Sequence, residues 1–267
     1  MYFLGIDIGS LSCDAVLLDG NRNIVSSSVV PTGVKNIEAI AHVKKSVLEK
    51  SGIVEQEIKS TVSTGYGRNR VPGRSGAVTE ITCHARGIRQ MIPDTRIVID
   101  IGGQDSKAIF LDENGKVTDF AMNDKCAAGT GRFLEAMARA LEVEVDELGN
   151  LDKEATSDLV LSSMCTVFAE SEVVSLIASG TDQKEIAKGM NRAIASRTLS
   201  LVKRVAKDFE GLCISMSGGV ARNSGVVKAI AESLGIEKLN IPDEPDIVGA
   251  LGAALIACER YQKTKKF

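Results

Sequence analysis

The chain has 267 residues, 44% of them hydrophobic and 25% charged, a composition typical of one large or two medium soluble domains. A net charge of −3 gives no basic excess for nucleic acid, and no apolar run approaches the roughly 20 residues of a membrane helix. The N-terminus does not have the pattern of a signal peptide. We therefore expect a cytoplasmic protein whose six cysteines are core thiols or metal ligands rather than disulfides.

The first 30 residues are predicted to form a β-meander whose first turn could hold a phosphate. Apolar runs at residues 3–8, 15–18 and 24–30 indicate three strands joined by short turns. An acid at a strand end can position Mg²⁺ through water, and the N–H groups and hydroxyls of a glycine–serine turn can hold a phosphate. The candidate nucleotide contacts are Asp7, Gly9, Ser10, Leu11 and Ser12.

A helix over residues 36–52, a strand over 60–64 and a second helix over 77–92 are expected next. The second helix carries Cys83 and His84, which are adjacent and so do not share a face. We expect Cys83 to be a small buried thiol and His84 to be a partly exposed helix residue. Neither residue is assigned to a site.

The acid–glycine hairpin then occurs a second time, which indicates an internal duplication. Residues 96–101, 108–111 and 116–122 repeat the meander, and Asp100 matches Asp7 about 93 residues later. Two such hairpins that face each other across a cleft can grip one polyphosphate from both sides. The candidate residues of this second turn are Asp100, Gly102, Gly103, Gln104 and Asp105.

Cys126 and Cys165 each stand just ahead of a predicted helix. The first helix has Thr130 as its expected N-cap, and the second has Thr166 or Ser163. The unpaired N–H groups and partial positive charge of a helix start favour a thiolate or a bound anion. Together the two cysteines could hold a soft metal centre. Two thiolates cannot complete a four-ligand Fe–S or Zn site, so other cysteines or a second copy of the chain must contribute.

The last third of the chain is predicted to place a double glycine between a strand and a helix. Gly218, Gly219 and Val220 are candidate adenosine contacts, because glycine lets a base and ribose approach the backbone closely. Cys213 and Cys258 are expected to be core thiols. The predicted elements are a helix over 184–209, a strand over 212–216, a helix over 226–234, a strand over 237–241 and a helix over 246–261.

Several of these segments resemble the motifs of one superfamily. Residues 5–10, 100–105 and 217–220 are similar to the two phosphate motifs and the adenosine motif of the acetate and sugar kinase, Hsp70 and actin superfamily. Within it, the chain resembles the ATP-dependent activators of 2-hydroxyacyl-CoA dehydratases and the related ATPase subunits of benzoyl-CoA reductases, on residues 64–68, 100–105, 123–134 and 163–173. The resemblance implies an α/β protein with a duplicated ribonuclease H-like fold and two domains around a nucleotide cleft, residues 1–93 with 246–267 and residues 94–245.

The resemblance also implies an activity. A homodimer would share one oxygen-sensitive [4Fe–4S] cluster at its interface, with Cys126 and Cys165 of each protomer as ligands. MgATP hydrolysis would drive single electrons at low potential from ferredoxin or flavodoxin into a 2-hydroxyacyl-CoA dehydratase, a benzoyl-CoA reductase-like enzyme or a double-cubane cluster protein. Asp7 and Asp100 would hold Mg²⁺, and Gln104 or Asp105 would orient the attacking water.

The first motif departs from the family pattern at two residues. This chain has Leu11 where the family usually has a hydroxyl, and Asp14 where it usually has a lysine.

The sequence leaves two other functions open. One alternative is a sugar or carboxylate kinase of the same fold without a cluster, which would need a further carboxylate facing the acceptor hydroxyl. The other is a nucleotide-gated binding protein in which Cys126 and Cys165 are buried thiols.

Overall fold

The strands form two mixed sheets with the same plan. The computed structural model describes residues 1–161 and 166–264. In each sheet, three strands make an antiparallel meander, and a later strand runs parallel to the first strand of that meander. The internal duplication expected from the sequence is therefore present in the strand order.

The elements of the first half are β1 (Tyr2–Ile8), β2 (Ser12–Leu18), β3 (Ile24–Pro31), β4 (Ile58–Gly65), β5 (Gly76–Ala77), α1 (Asn36–Ser51) and α8 (Val248–Thr264). The first sheet has the strand order β3-β2-β1-β4-β5. Its central strand is buried on both faces, with Leu4 and Ile6 against helix α1 and Phe3 against helix α8. An unbroken apolar run is what a doubly covered strand requires.

The remaining elements are α2 (Glu80–Met91), β6 (Ile97–Ile101), β7 (Ser106–Leu111), β8 (Val117–Asn123), α3 (Gly131–Ala140), α4 (Leu148–Leu151), α5 (Thr166–Ala178), α6 (Gln183–Val205), β9 (Ile214–Ser217) and α7 (Ser224–Leu234). The second sheet has the strand order β8-β7-β6-β9. Ile97 and Ile99 face a large core formed with α3, α6 and α7, whereas Val98 faces α2 and the first residue of α8.

Helix α2 lies between the two sheets and contacts β4 of the first sheet, β6 and β7 of the second, and helix α8. Glycines make the α2–α8 approach close: a Cβ at Gly87 would lie 1.9 Å from the Val248 carbonyl oxygen. Because α2 is covered on two sides, adjacent residues of it are buried. Cys83 is buried, as expected, but the expectation that His84 is partly exposed is wrong, since His84 is only 6% exposed.

Two further expectations need correction. Residues 237–241 do not form a strand; Asn240 makes a single isolated parallel bridge to Ser215. Pro242 follows almost at once and has no N–H with which to extend a ladder. Cys213 precedes β9 and is half-exposed rather than a core thiol, whereas Cys258 is buried as expected.

The predicted domain division, residues 1–93 with 246–267 and residues 94–245, stays a prediction. The sheet of β1–β5 and helix α8 fall in the first part, and the sheet of β6–β9 falls in the second.

None of the described helices is long and apolar enough to cross a membrane.

Replacing Gly252 with alanine should destabilise the fold, because a Cβ there would lie 1.8 Å from the carbonyl oxygen of Cys83. Overpacking of this kind costs about 1–3 kcal/mol. We therefore expect Gly252→Ala to lower the midpoint of chemical denaturation. Gly189→Ala in α6 is the matched control, because its Cβ would come no closer than 3.2 Å to Leu159 O. Equal midpoints for the two variants would contradict the close α2–α8 packing.

Candidate functional site

A cavity of about 510 Å³ lies between the two sheets, and residues from both of them line it. Most of the sequence-predicted nucleotide contacts meet there. Gln104 is exposed and is not among the described residues that line the cavity, so its role stays a prediction. The predicted residues that do line it are Asp7, Gly9, Ser10, Leu11, Ser12, Asp100, Gly102, Gly103, Asp105, Gly218, Gly219 and Val220.

The two acid–glycine turns have the same hydrogen bond at matching positions. Gly9 N donates to Ser12 O at 2.9 Å, and Gly102 N donates to Asp105 O at 3.0 Å. The duplication therefore extends from strand order to the conformation of the turns. Residues of both turns line one cavity, as binding of a polyphosphate from both sides requires.

The turns also lie against each other. A Cβ added at Gly103 would be 2.6 Å from Leu11 Cγ and 2.7 Å from Ser10 Oγ, so a side chain at this position would separate the two halves. Glycine is required at residue 103 by this close approach rather than by an unusual backbone angle.

Lys107 neutralises the carboxylates of the second half. Its Nζ is 3.1 Å from Asp100 Oδ2, 2.7 Å from Asp105 Oδ2 and 3.7 Å from Glu80 Oε2, and the side chain is 2% exposed. Burial would raise the pKa of Asp100, but the charges of His84 and Lys107 hold it below its usual value. For Asp105, burial outweighs Lys107 and raises the pKa.

His84 connects the two halves at the floor of the cavity. Its Nδ1 is 3.2 Å from both Asp100 Oδ1 and Ser217 Oγ, and its Nε2 is 3.6 Å from Asp7 Oδ2. Burial alone would lower the pKa of His84, but Asp100 and Asp7 raise it overall. The sequence reasoning missed this residue. The one signal was Gly87 in the same helix, since a glycine inside a helix often marks close packing.

The double-glycine motif closes the second half of the cavity. Ser217, the last residue of β9, donates from its hydroxyl to Asp100 Oδ1 at 2.9 Å. Gly218 has φ +84°, and a Cβ there would lie 2.4 Å from Ile101 O. Gly65 after β4 has the matching conformation, with φ +82° and Asp7 Oδ1 2.4 Å from its added Cβ. Each half therefore packs a left-handed glycine against its aspartate.

The cavity lining is acidic. In the described part of the chain its lysine and arginine side chains are Lys107 and Arg222, and both are engaged, Lys107 by Asp100 and Asp105 and Arg222 by Asp246. A polyphosphate bound there would need added cations. Within residues 1–161 and 166–264, no three His, Cys, Asp or Glu side chains are grouped to hold a metal by themselves. The carboxylates that line the cavity are Asp7, Asp14, Glu80, Asp100, Asp105, Glu135, Asp146 and Asp246.

The start of α3 is hydrogen-bonded to the second turn. Gly131 N donates to Gly102 O at 2.9 Å, and Arg132 N donates to Gly103 O at 2.9 Å. Thr130 occupies the N-cap position, but its side chain does not cap the helix as expected: its Oγ1 is 2.6 Å from Ala127 O and 3.0 Å from Gly103 O, and its hydroxyl donates to these two carbonyls. The hydroxyl is used to fasten the helix to the turn.

Cys126 is a half-buried free thiol in the loop that leads into α3. Cys165 and Ser163, the other cysteine and one of its two possible helix caps, lie outside the described residues. Helix α5 begins at Thr166, directly after Cys165 in the sequence, and it packs against α3. The helices that follow the two cysteines are therefore neighbours.

Several known proteins are similar to this chain along most of its length. An activator of lactoyl-CoA dehydratase from Anaerotignum propionicum is 47% identical over 263 residues, covering 98% of this chain and all of that protein. A benzoyl-CoA reductase component from Thauera aromatica is 37% identical, covering 81% of this chain and 77% of its own. A solved activator of 2-hydroxyisocaproyl-CoA dehydratase from Clostridium difficile, with bound ADPNP, is 42% identical with a TM-score of 0.92, covering 100% of this chain and 97% of its own.

More distant structures establish the wider fold. A ROK family glucokinase from Streptomyces griseus shares it at 15% identity, with a TM-score of 0.58 over 97% of this chain and 100% of its own. The α/β fold is therefore the duplicated ribonuclease H-like fold of actin, Hsp70 and sugar kinases, as expected. The match to one family covers residues 4–257, nearly the whole chain. The chain belongs to the BadF/BadG/BcrA/BcrD ATPase family.

Proposed function

We propose that this protein hydrolyses ATP to drive low-potential single-electron transfer into a partner enzyme. The observation that carries the proposal is the direct link between the second phosphate turn and the cysteine loop. The carbonyl oxygens of Gly102 and Gly103 accept hydrogen bonds from the first residues of α3, the helix that Cys126 precedes. A shift of the turn around a nucleotide would therefore move the start of that helix.

ATP would lie in the cavity, with its phosphates between the two turns and its adenosine near Gly218, Gly219 and Val220. This placement is supported by the glycines, which let the ligand approach the backbone, and by the matched turn hydrogen bonds. The activator of known structure with bound ADPNP is 42% identical to the chain, which also supports a nucleotide here.

Mg²⁺ would be held by Asp7 and Asp100, directly or through water. The residues fit this role, because both are buried carboxylates on the cavity wall and the nearby cationic side chains are already paired. Mg²⁺ is usually bound by one or two carboxylates together with phosphate oxygens, and it neutralises charge on those phosphates. Asp105, which lines the cavity, is better placed than the exposed Gln104 to orient an attacking water.

Cys126 and Cys165 of two protomers would hold one [4Fe–4S] cluster. Cys126 fits this role as a half-buried free thiol in the loop that leads into α3. Such a cluster accepts and donates single electrons at low potential. Each chain offers two cysteines in this context, so four thiolates require two chains.

The exposed face of α5 supports a homodimer. Val167 and Phe168 are each 67% exposed and Val174 is 53% exposed, whereas Ala169 and Val173 on the same helix are buried. A helix that is apolar on both faces is normally covered on both. A second copy is the occupant that the ligand count requires, and a two-fold axis brings the same residues of both copies together.

The partners follow from the relatives. Those named as activators serve 2-hydroxyacyl-CoA dehydratases, so the electron acceptor would be such a dehydratase, a benzoyl-CoA reductase-like enzyme or a double-cubane cluster protein. Ferredoxin or flavodoxin would supply the electron. A cluster between two chains lies near solvent, so the protein would work in a cytoplasm without oxygen.

Closure of the cleft would connect ATP hydrolysis to electron transfer. Residues 1–93 with 246–267 and residues 94–245 would move as two bodies about the cavity, in a hinge motion around the nucleotide. The contact between Gly103 and the Ser10–Leu11 segment of the other turn would carry the movement of one half to the other.

Anaerobically purified protein should contain about two irons and two sulfides per chain, because one four-iron cluster is shared by two chains. Cys126→Ser should lose both, together with the EPR signal of the reduced cluster. Cys213→Ser is the matched control, because Cys213 is also a partly exposed free thiol but does not precede α3 or α5.

Two results would contradict the cluster. One is iron that persists in Cys126→Ser at the wild-type content. The other is wild-type protein that binds ATP but holds no iron after anaerobic reconstitution with iron and sulfide.

His84→Ala should lower the rate of ATP hydrolysis by about 100-fold, because both aspartates at the floor of the cavity would lose the group that positions them. The affinity for ATP should change much less. His42→Ala, on the exposed surface of α1, is the control and should keep the wild-type rate. His84→Gln, which keeps one N–H donor, should retain part of the rate. An unchanged rate in His84→Ala would exclude a role for this residue.

Phosphate release without any added acceptor distinguishes this function from a kinase. We expect steady release from ATP in water alone, because phosphoryl transfer to a sugar or carboxylate is not part of the proposed reaction. A requirement for such an acceptor, together with formation of its phosphate ester, would instead identify the chain as a kinase.

A further inference from the structure

The two duplicated hairpins differ in the charge of one pair of facing residues. In the second half, Asp100 on β6 is directly opposite Lys107 on β7. In the first half, Asp7 on β1 is directly opposite Asp14 on β2. Asp14 thus occupies the position that corresponds to Lys107 in the duplication. One half has a carboxylate beside an ammonium group, and the other has two carboxylates.

Asp14 is buried and incompletely partnered. Its side chain lines the cavity and the residue is only 5% exposed. Ser12 Oγ donates a hydrogen bond to Asp14 Oδ2 at 3.1 Å. Asp14 Oδ1 is buried with no hydrogen-bond partner among the described residues. A buried carboxylate oxygen without a partner is costly, so its position at a ligand cavity points to a ligand atom that completes it.

The lysine and arginine side chains of the described cavity lining do not supply the missing positive charge. Lys107 is bound to Asp100 and Asp105, and Arg222 is bound to Asp246. Burial raises the pKa of Asp14 well above its usual value, and the neighbouring Asp7 raises it further. Protonation of Asp14 would remove its own charge but would not compensate the negative charge that ATP keeps after one Mg²⁺ is bound.

We propose that Asp14 and Asp7 bind a divalent cation in addition to the one that accompanies ATP. Two carboxylates of opposite strands, with Ser12 Oγ nearby, provide hard oxygen donors. Phosphate oxygens and water would supply the other ligands, because no third acidic, histidine or cysteine side chain of the described residues completes a metal group. The added ion would supply in the first half the charge that Lys107 supplies in the second. This inference rests on the proposed nucleotide site and is independent of the cluster.

The test is the number of Mn²⁺ ions bound in the presence of a saturating non-hydrolysable ATP analogue. Free Mn²⁺ is followed by EPR, and binding of the analogue is measured separately by calorimetry. The wild-type protein should bind about two Mn²⁺ per chain. Asp14→Asn, which keeps the size of the side chain, should bind about one, with affinity for the other lowered at least about tenfold. Asp243→Asn, at an exposed carboxylate outside the cavity, should match the wild type.

Asp14→Lys gives a second, independent arm. It recreates in the first half the facing pair that Asp100 and Lys107 form in the second. This variant should bind the analogue with about one Mn²⁺ per chain, because the ammonium group replaces the added ion.

The outcomes separate the two proposals. Failure of the wild type to bind the analogue would overturn the nucleotide site and the added cation together. Binding of the analogue with about one Mn²⁺ in both wild type and Asp14→Asn would overturn the added cation alone and assign Asp14 as a neutral carboxyl.

Discussion

The structure depends on burying several carboxylates beneath a single cavity. Asp7, Asp14 and Asp100 are all buried, and like charges this close cannot all remain ionised without partners. Lys107 and His84 supply most of the compensation, and α2 places His84 between the two halves. Removing one member of a buried charge pair typically lowers the stability of the fold by about 3–5 kcal/mol. The charged residues at the floor of the cavity therefore affect both stability and the site. The close α2–α8 packing holds the imidazole of His84 at that floor.

The duplication gives both halves the same backbone geometry but not the same charged side chains. Both halves have the same meander, the same turn hydrogen bond and a left-handed glycine after the parallel strand, at Gly65 and Gly218. The backbone can therefore repeat while the facing residue changes from Lys107 to Asp14. A polyphosphate bound between the turns would therefore have Lys107 in one half of the site and Asp14 in the other. An asymmetric ligand is suited to such a site, since its reacting end must be distinguished from its inert end.

Much of the fold could be predicted because the repeated pattern of strand, acid and glycine is local in the sequence. The strands of both meanders and most helices follow from the pattern of apolar residues. The residues at the turns were predicted because an acid and glycines lie at the end of each apolar strand in the sequence. His84 was missed because its burial depends on α2 being covered from two directions, which periodicity in one helix does not reveal. The strand at 237–241 was wrongly predicted because its pairing depends on Ser215, a partner far along the chain. The Thr130 cap was wrongly predicted because its hydroxyl donates to the carbonyls of Ala127 and Gly103 instead.

The attachment of α3 to the second turn has a thermodynamic consequence. Coupling between two sites is reciprocal. If binding at one site changes the affinity of the second by some factor, binding at the second changes the affinity of the first by the same factor. The bonds from Thr130 and Gly131 to the turn act in both directions. A partner that docks beside the cysteine loop and shifts α3 would therefore alter how tightly the cavity binds a nucleotide. Under the proposed function, the enzyme that receives the electron would by this linkage also change the affinity for the nucleotide.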